Sequence, residues 1–599
     1  MKNIFKKTIQ FFVVGTLLCG CDILEQTSKS TYDDETIFSN YSLARYAVNA
    51  IYESYVTTAS YRTDYFEYYG ANTDVEVRAQ TSDTETNNYC QYKMSATNIY
   101  FDRPGEDYIF SGNFKGIERA NLCIHGLKTY GNIDEDEQMG ALYGEALTAR
   151  ALLYADLLNI YGEVPARFEP ITQATKYLPK SDKDVIYKQL LHDLKEAGRY
   201  LDYDKQTLTT QPGKACAYGM YARLALQAAG YSCRPDEGKV NTGALGKNRK
   251  SNDPELQAAV IYPEALELLD DVIDNANLGL FGNFEDLWKF YCNKGDAYGT
   301  AENPEIIFGL PFSDTRGQHL TRNAVRNEMY NKANNPRIAL NPALYFRFAK
   351  EDTRRDITCV PAQYNKEGKA DLSNASASLW QNGKWRVDWR TDNYLKDNSG
   401  AEDGCKFTYL RYADILLMAA EIANELGELE DAKAYMRPVL VRAYQDETLA
   451  DDYLSRLTDK EAFFEAIKEQ RSFEFAGECL RRTDLIRWGI LKKALDEAKK
   501  ELTAMRTLTG KFSVYPEYMY WRVKENSVDA EYYGFNPGET DVPAEVEKWN
   551  KKKFLTGLGQ GLIDNLYLGD PDANMYRPIP ATIITSNMGV LKNDYGYTF

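Results

Sequence analysis

The sequence predicts a mainly α-helical protein, a scaffold of paired helices interrupted by long, aromatic-rich loops. Two observations carry this. Apolar and small residues recur three and four apart over many stretches, the period of a helix with one buried face. Between them lie segment 59–109, rich in Tyr, Thr, Asn and Asp and not clearly periodic, and segment 277–400, which mixes short strand-like pieces with loops. Of the 599 residues 44% are hydrophobic and 27% charged, which excludes a disordered, fibrous or polytopic membrane chain.

Residues 1–20 read as a secretory signal: Lys2, Lys6 and Lys7, then an apolar run from Phe11 to Leu18 too short to span a bilayer. Leu18-Cys19-Gly20-Cys21 resembles a bacterial lipobox, making Cys21 the expected lipidated N-terminus. Its acyl chains would anchor the protein to membrane lipid through Cys21. Residues 21–40 form the tether, and 41–599 one large domain with an N-terminal part to 276 and a C-terminal part from 277.

Helices are expected over 41–57, 110–130 and 136–161, the last with Ala141, Gly144, Ala149, Leu152 and Ala155 as a small-residue face. Such faces let helices approach closely. Gly162-Glu163-Val164-Pro165 ends that helix. Ser181, with Asp184 three residues on, predicts a capped helix over 182–201. Further helices follow over 213–230, 262–276, 408–426, 429–445, 459–475 and 483–505. Glu305–Leu310 reads as a buried strand. Residues 506–575 read as irregular and 576–599 as an extended tail. Helix pairs with small facing residues suggest tetratricopeptide-like stacking split by long insertions.

The charge is −17, from 71 basic and 88 acidic residues. Removing residues 1–20 removes three Lys and no acid, which brings it to −20. Such a surface repels phosphate backbones and argues against nucleic acid. Three His far apart in sequence leave little for a multi-His metal site. The eight Cys beyond Cys21 are scattered singly and read as buried small hydrophobes.

Several segments resemble the SusD/RagB family of outer-membrane lipoproteins. Gly144-Glu145-Ala146, Arg150-Ala151, Tyr154 and Asp156-Leu157, followed by Tyr161-Gly162-Glu163-Val164-Pro165, are similar to its first signature helix. Arg411-Tyr412-Ala413-Asp414-Ile415-Leu416-Leu417-Met418 with Glu421 and Asn424-Glu425 is similar to its most specific motif. Glu469-Gln470-Arg471, Glu474-Phe475, Gly477-Glu478 and Asp484-Leu485-Ile486-Arg487-Trp488-Gly489 follow in family order. So do Arg577-Pro578-Ile579-Pro580 and the Asn593, Tyr595, Gly596 group. These motifs read as scaffold, with Arg411, Asp414 and Glu421 pairing across helices and Trp488 in a helix interface. The resemblance implies a non-catalytic lipoprotein on the outer face of the outer membrane. It binds oligosaccharide and acts as the lid of a SusC-like TonB-dependent transporter. The RagB branch implies oligopeptide cargo instead, and acidic loop residues (Glu67, Asp74, Glu76, Asp83, Glu85) would favour basic peptides.

A sugar ring offers apolar C–H faces and a hydroxyl rim, so its site wants aromatic platforms edged by polar groups. The loop after the first helix commonly supplies an acid, a base and an aromatic in this family; Asp74, Arg78 and Tyr89 or Tyr92 match, with Tyr where a Trp is expected. Tyr100 extends that loop. A second set, 288–330, offers Trp288, Tyr291, Arg316, His319, Arg322 and Tyr330; a third offers Trp380, Trp385 and Trp389. A glycoside hydrolase is the further alternative, since two carboxylates among so many acids would suffice.

Other patterns fail. Gly557-Leu558-Gly559-Gln560-Gly561 follows no strand, and no cofactor is expected. Asp570, Asp572 and Asn574 open like a calcium loop but lack its Gly and distal Glu. They read as a turn, a structural calcium ion being unsupported. Lys551-Lys552-Lys553 reads as a solvated face.

Overall fold

The computed structural model describes residues 32–63, 65–79, 82–100, 109–310, 312–313, 316–330, 336–392 and 402–599. The signal segment, Cys21 and most of the tether lie outside the described residues. The scaffold is a run of helices: α1 Tyr41–Asn49, α2 Ile109–Tyr130, α3 Glu137–Tyr161, α4 Lys183–Tyr200, α5 Lys214–Ala229, α6 Ala258–Asn275 and α7 Phe284–Cys292. It resumes with α8 Tyr412–Leu426, α9 Leu429–Tyr444, α10 Glu447–Ser455, α11 Lys460–Glu474, α12 Arg481–Arg487 and α13 Leu491–Thr507. Neighbours in sequence pack on one another from α2 through α6; α6 then packs on α8, and α8 on α9 and α11.

Small residues lock this stack. A Cβ added to Gly144 of α3 would lie 2.9 Å from the Ala197 carbonyl of α4. One on Gly198 of α4 would lie 1.9 Å from the Tyr218 ring of α5, and one on Gly219 of α5 2.6 Å from Ile415 of α8. The small-residue faces are therefore the contact faces.

Caps begin the helices. Asp136 accepts from Gln138 N at 3.0 Å and Met139 N at 3.2 Å to start α3. At α4 the cap is Asp182, which accepts from Asp184 N at 2.9 Å, rather than Ser181. Ser181 is held by the preceding loop: its N–H donates to Val164 O and its hydroxyl accepts from Ala166 N.

Other boundaries move for local reasons. The 41–57 helix turns 3₁₀ after Asn49. The 408–426 segment starts as a strand, and α8 begins only at Tyr412. The 483–505 segment splits at Gly489, whose φ of +72° closes α12 and re-aims α13. α10 adds a helix on the Asp446 cap.

The strands are short: β1 Glu76–Arg78, β2 Ile306–Leu310, β3 Ile338–Leu340, β4 Phe407–Arg411, β5 Met519–Val523, β6 Ala530–Tyr533 and β7 Asn550–Lys552. β1 pairs antiparallel with β3, and β2 with β4, so the predicted strand at 305–310 is held by the start of the most specific motif. β6-β5-β7 form a three-stranded sheet within the stretch expected to be irregular. Lys552, on an edge strand, donates to Leu372 O and Ser373 O at 3.0 Å.

The motif residues form buried, charge-balanced networks. Arg411 Nη1 meets Glu305 at 2.8 Å and Glu474 at 2.6 Å, and its Nε meets Glu478 at 2.9 Å. Arg442 joins Glu305 and Glu474, Arg354 joins Asp352 and Glu474, and Lys384 joins Glu478. Burial alone would raise the Glu474 carboxyl; Arg442, Arg411 and Arg354 outweigh it and hold it well below its ordinary value. In a second network Asp414 pairs with Arg471 at 2.6 Å and with Arg223. Arg471 and Arg487 share Asp484, and Glu421 takes Arg487 and, at 2.8 Å, the indole N–H of Trp488. These contacts tie β4 and α8 to α5, α9, α11 and α12.

A C-terminal strap closes the N-terminal helices. Arg577 N donates to Ile160 O at 2.7 Å, and the Tyr595 hydroxyl accepts from Glu163 N at 3.4 Å. Asp594 accepts from the N–H groups of Asn241, Thr242 and Gly243 and pairs with the buried Lys180. The 576–599 tail is thus packed, with one short helix at Ala581–Ser586.

Candidate functional site

The loops between the scaffold helices pack inward, and this decides where the predicted ligand residues lie. Asp74 is buried: Arg481 donates to it twice at 2.8 Å and Arg347 once at 3.1 Å. Burial would raise its carboxyl, but Arg481 and Arg347 prevail and hold it at about 2. Arg78 is buried and donates to Asn87 Oδ1 at 2.8 Å and Glu67 O at 3.2 Å. Tyr89 lies under the Arg577 guanidinium at 5.0 Å. Tyr92, at φ +56°, donates to Asn72 O at 2.8 Å with Arg482 4.4 Å above its ring.

Tyr291 packs against Trp288 and Trp385. Trp380 is the centre of an aromatic cluster with Tyr345 at 4.6 Å and Phe535 and Phe554 at 5.7 Å. Tyr330 is buried as well. Of the nine predicted contacts only Tyr100, 41% exposed, and Arg316 reach solvent. The other seven are internal because the insertions are long enough to build satellite cores of their own.

What remains at the surface is a cluster of loops around Trp389. Its indole is half-buried, with the Arg386 guanidinium 4.8 Å above the ring and Lys289 Nζ at 6.0 Å. Asn293 donates to Trp389 O at 2.9 Å and Asp388 is exposed beside it. Arg390 donates to Asp403 O at 2.8 Å, Asp403 N to Gly317 O at 2.9 Å and Gly404 N to Arg316 O at 2.8 Å. Loops 386–392, 402–404 and 316–322 are therefore one hydrogen-bonded unit. Gln318 adds a donor to Glu402 at 3.2 Å, and Arg62 pairs with the same carboxylate.

On the inner side of this unit His319 stacks against Trp385 and Phe407. Burial pushes its imidazole down to about 3, so it stays neutral. Gln318, Arg337 and Glu402 were not singled out from sequence; nothing in the order of polar loop residues marks them.

A second feature is a small, partly open pocket of about 30 Å³ lined by Tyr61, Asp156, Arg223 and Tyr409. It has room for one or two waters and none for a sugar ring. Asp156 accepts from Tyr61 at 2.8 Å and Tyr409 at 3.0 Å, and burial raises its carboxyl to about 7. At 570–574 Asp570 accepts from Asp572 N, and Asp572 from Lys492 N at the start of α13. This is a turn docked on a helix start. Among the described residues no group of three or more His, Cys, Asp or Glu is placed to hold a metal. None of their helices is long and apolar enough to cross a membrane.

Fold and site define a tetratricopeptide-like helical scaffold presenting a loop-built, aromatic and polar face. The SusD family model matches residues 361–597, and a second family model, described as starch-binding and associating with the outer membrane, matches residues 22–226. SusD-like protein P25 of Formosa agariphila is 25% identical over 524 residues, covering 80% of this chain and 89% of the relative. A SusD homolog from Bacteroides thetaiotaomicron superposes with a TM-score of 0.68 at 17% identity, covering 93% of this chain and 97% of that one. Surface glycan-binding protein A of Bacteroides thetaiotaomicron, solved in complex with laminarihexaose, gives a TM-score of 0.59 at 16% identity, covering 92% and 99%. The chain belongs to the SusD-like family.

Proposed function

We propose that this protein is a non-catalytic, lipid-anchored binder of oligosaccharide at the cell surface. It delivers its ligand to a SusC-like TonB-dependent transporter, over which it acts as a lid. The observation that carries the reading is the loop unit around Trp389. One indole remains available there, edged by Arg386, Lys289, Asn293 and Asp388, the pairing of apolar platform and polar rim that a sugar requires. The laminarihexaose complex of the similar glycan-binding protein supports the ligand class. Anchoring through Cys21 and the place at the outer membrane follow from the lipobox and the family description.

Basic peptides are disfavoured as cargo. Of the five acids expected to favour them, Glu67, Asp74 and Glu76 are buried and engaged internally and the exposed Asp83 pairs with Lys93, which leaves Glu85 alone exposed and outside the ion pairs of the described residues.

The test is binding of protein lacking residues 1–21 to a glycan array, beside Trp389→Ala. A hit weakened about tenfold or more in the variant, with an unchanged melting temperature, supports the site. A folded protein that binds no glycan, or one that cleaves its ligand, overturns the reading. Co-purification of a large barrel protein after gentle detergent extraction tests the lid.

A further inference from the structure

We propose that the ligand of this face is anionic, an oligosaccharide carrying carboxylate or sulfate groups. The inference rests on the glycan-binding reading and adds the ligand's charge.

The three loops of the unit balance, with Arg316, Arg322, Arg386 and Arg390 against Asp388, Asp392, Glu402 and Asp403, and the positive excess lies beside them. Overall the chain carries 88 acids against 71 bases. Beside the unit, three guanidiniums converge on Glu67: Arg337 at 2.8 Å, Arg322 at 3.6 Å and Arg78 at 3.7 Å. The carboxylate lies beneath, 1% exposed, whereas the side chains of Arg322 and Arg337 are 26% and 41% exposed. Their outer edges face solvent.

Arg337 N donates to Arg322 O at 2.7 Å, and Arg316 precedes the same turn. Arg316 is exposed and makes no ion pair among the described residues. Arg62, Arg78 and Arg322 are held within the structure; Arg316 and Arg337 are the two a bound anion meets. Both are arginines, whose planar forks suit the paired oxygens of carboxylate and sulfate. Gly404 N donates to Arg316 O and Arg337 N to Arg322 O, so both arginines are tied to the loop unit that holds Trp389, and an oligosaccharide spanning the unit would meet the indole and the guanidiniums together.

Calorimetric titration of the soluble protein decides this, with oligosaccharides of matched length that are neutral, uronate-containing or sulfated, and with polyglutamate. The titrations run at low and moderate salt. An anionic oligosaccharide is expected to bind at least about tenfold more tightly than the neutral one and to weaken as salt rises. The two anionic arms identify which group is taken. A folded Arg316→Ala/Arg337→Gln variant should lose that preference, and Arg316→Lys should keep part of it.

Equal affinity for the neutral oligosaccharide, or a variant with its preference intact, overturns the inference and leaves the function standing. Binding of no oligosaccharide of any charge overturns the function itself. Polyglutamate binding above every oligosaccharide assigns the arginines to acidic peptide and overturns the proposal.

Discussion

Arg411 stands where three carboxylates converge, and its truncation leaves Glu305, Glu474 and Glu478 short of a shared cation. Arg411→Ala is expected to lower unfolding free energy by about 3–5 kcal/mol, because it breaks a buried pair from one side. Chemical denaturation measures it, and a loss below ~1 kcal/mol would contradict the network's role. Asp156 makes a pH prediction. Its carboxyl is raised by burial from 3.8 to about 7, so the folded state keeps a proton that the unfolded state releases. Its contribution to stability therefore falls as pH rises from about 4 to 7 and is flat above. The melting-temperature difference between Asp156→Asn and the parent should shift in the variant's favour from pH 5 to pH 8; an unchanged difference contradicts the assignment. Asp74, held at about 2, acts oppositely, and its contribution disappears as pH falls below 4. That Arg411, Asp414 and Glu421 pair across elements was legible from the motif they belong to, although Arg411 ends β4 and only Asp414 and Glu421 lie on α8. Their partners were not, because Glu305 and Arg223 come from elements far away in sequence.

Among the elements, helices were the legible part. Long amphipathic or small-faced runs such as 136–161 and 213–230 need little tertiary information to define them. Gly198→Ala should cost about 1–3 kcal/mol, since the new methyl would fall inside the Tyr218 ring unless α4 and α5 separate. A variant as stable as the parent would show that this helix pair is looser than described. Apart from β2, the short strands and the β6-β5-β7 sheet escaped notice because three to five residues with charged positions carry no reliable alternation. Loop aromatics misled for a related reason. Tyr92 and Trp380 look the same in sequence as a sugar platform, and only the packing of Arg482 over one and Tyr345 against the other shows them to be internal. Trp389 differs from Trp385 only in where the 387–389 turn points it.

At the scale of the whole molecule, cohesion comes from packing and buried charge rather than covalent cross-links. The eight cysteines of the described residues are free and buried. Burial raises several of their thiols, including Cys216 and Cys359. Reductant should therefore leave the melting temperature unchanged, and thiol reagents should label the protein only on unfolding. A drop in melting temperature with reductant would reveal a cross-link. The family and the helical stack were legible across most of the chain, whereas the binding face was not, because residues from loops near 62, 318, 337, 389 and 402 meet only in the fold. The strap described above carries a consequence in time. The Gly162–Pro165 corner is synthesised more than 400 residues before Arg577 and Tyr595 arrive to cover it. At ~5–20 residues per second that is a wait of roughly 20–80 s. Until then the edge that Arg577 and Tyr595 cover has no partner, so the N-terminal helices reach their final packing only after the last segment is made.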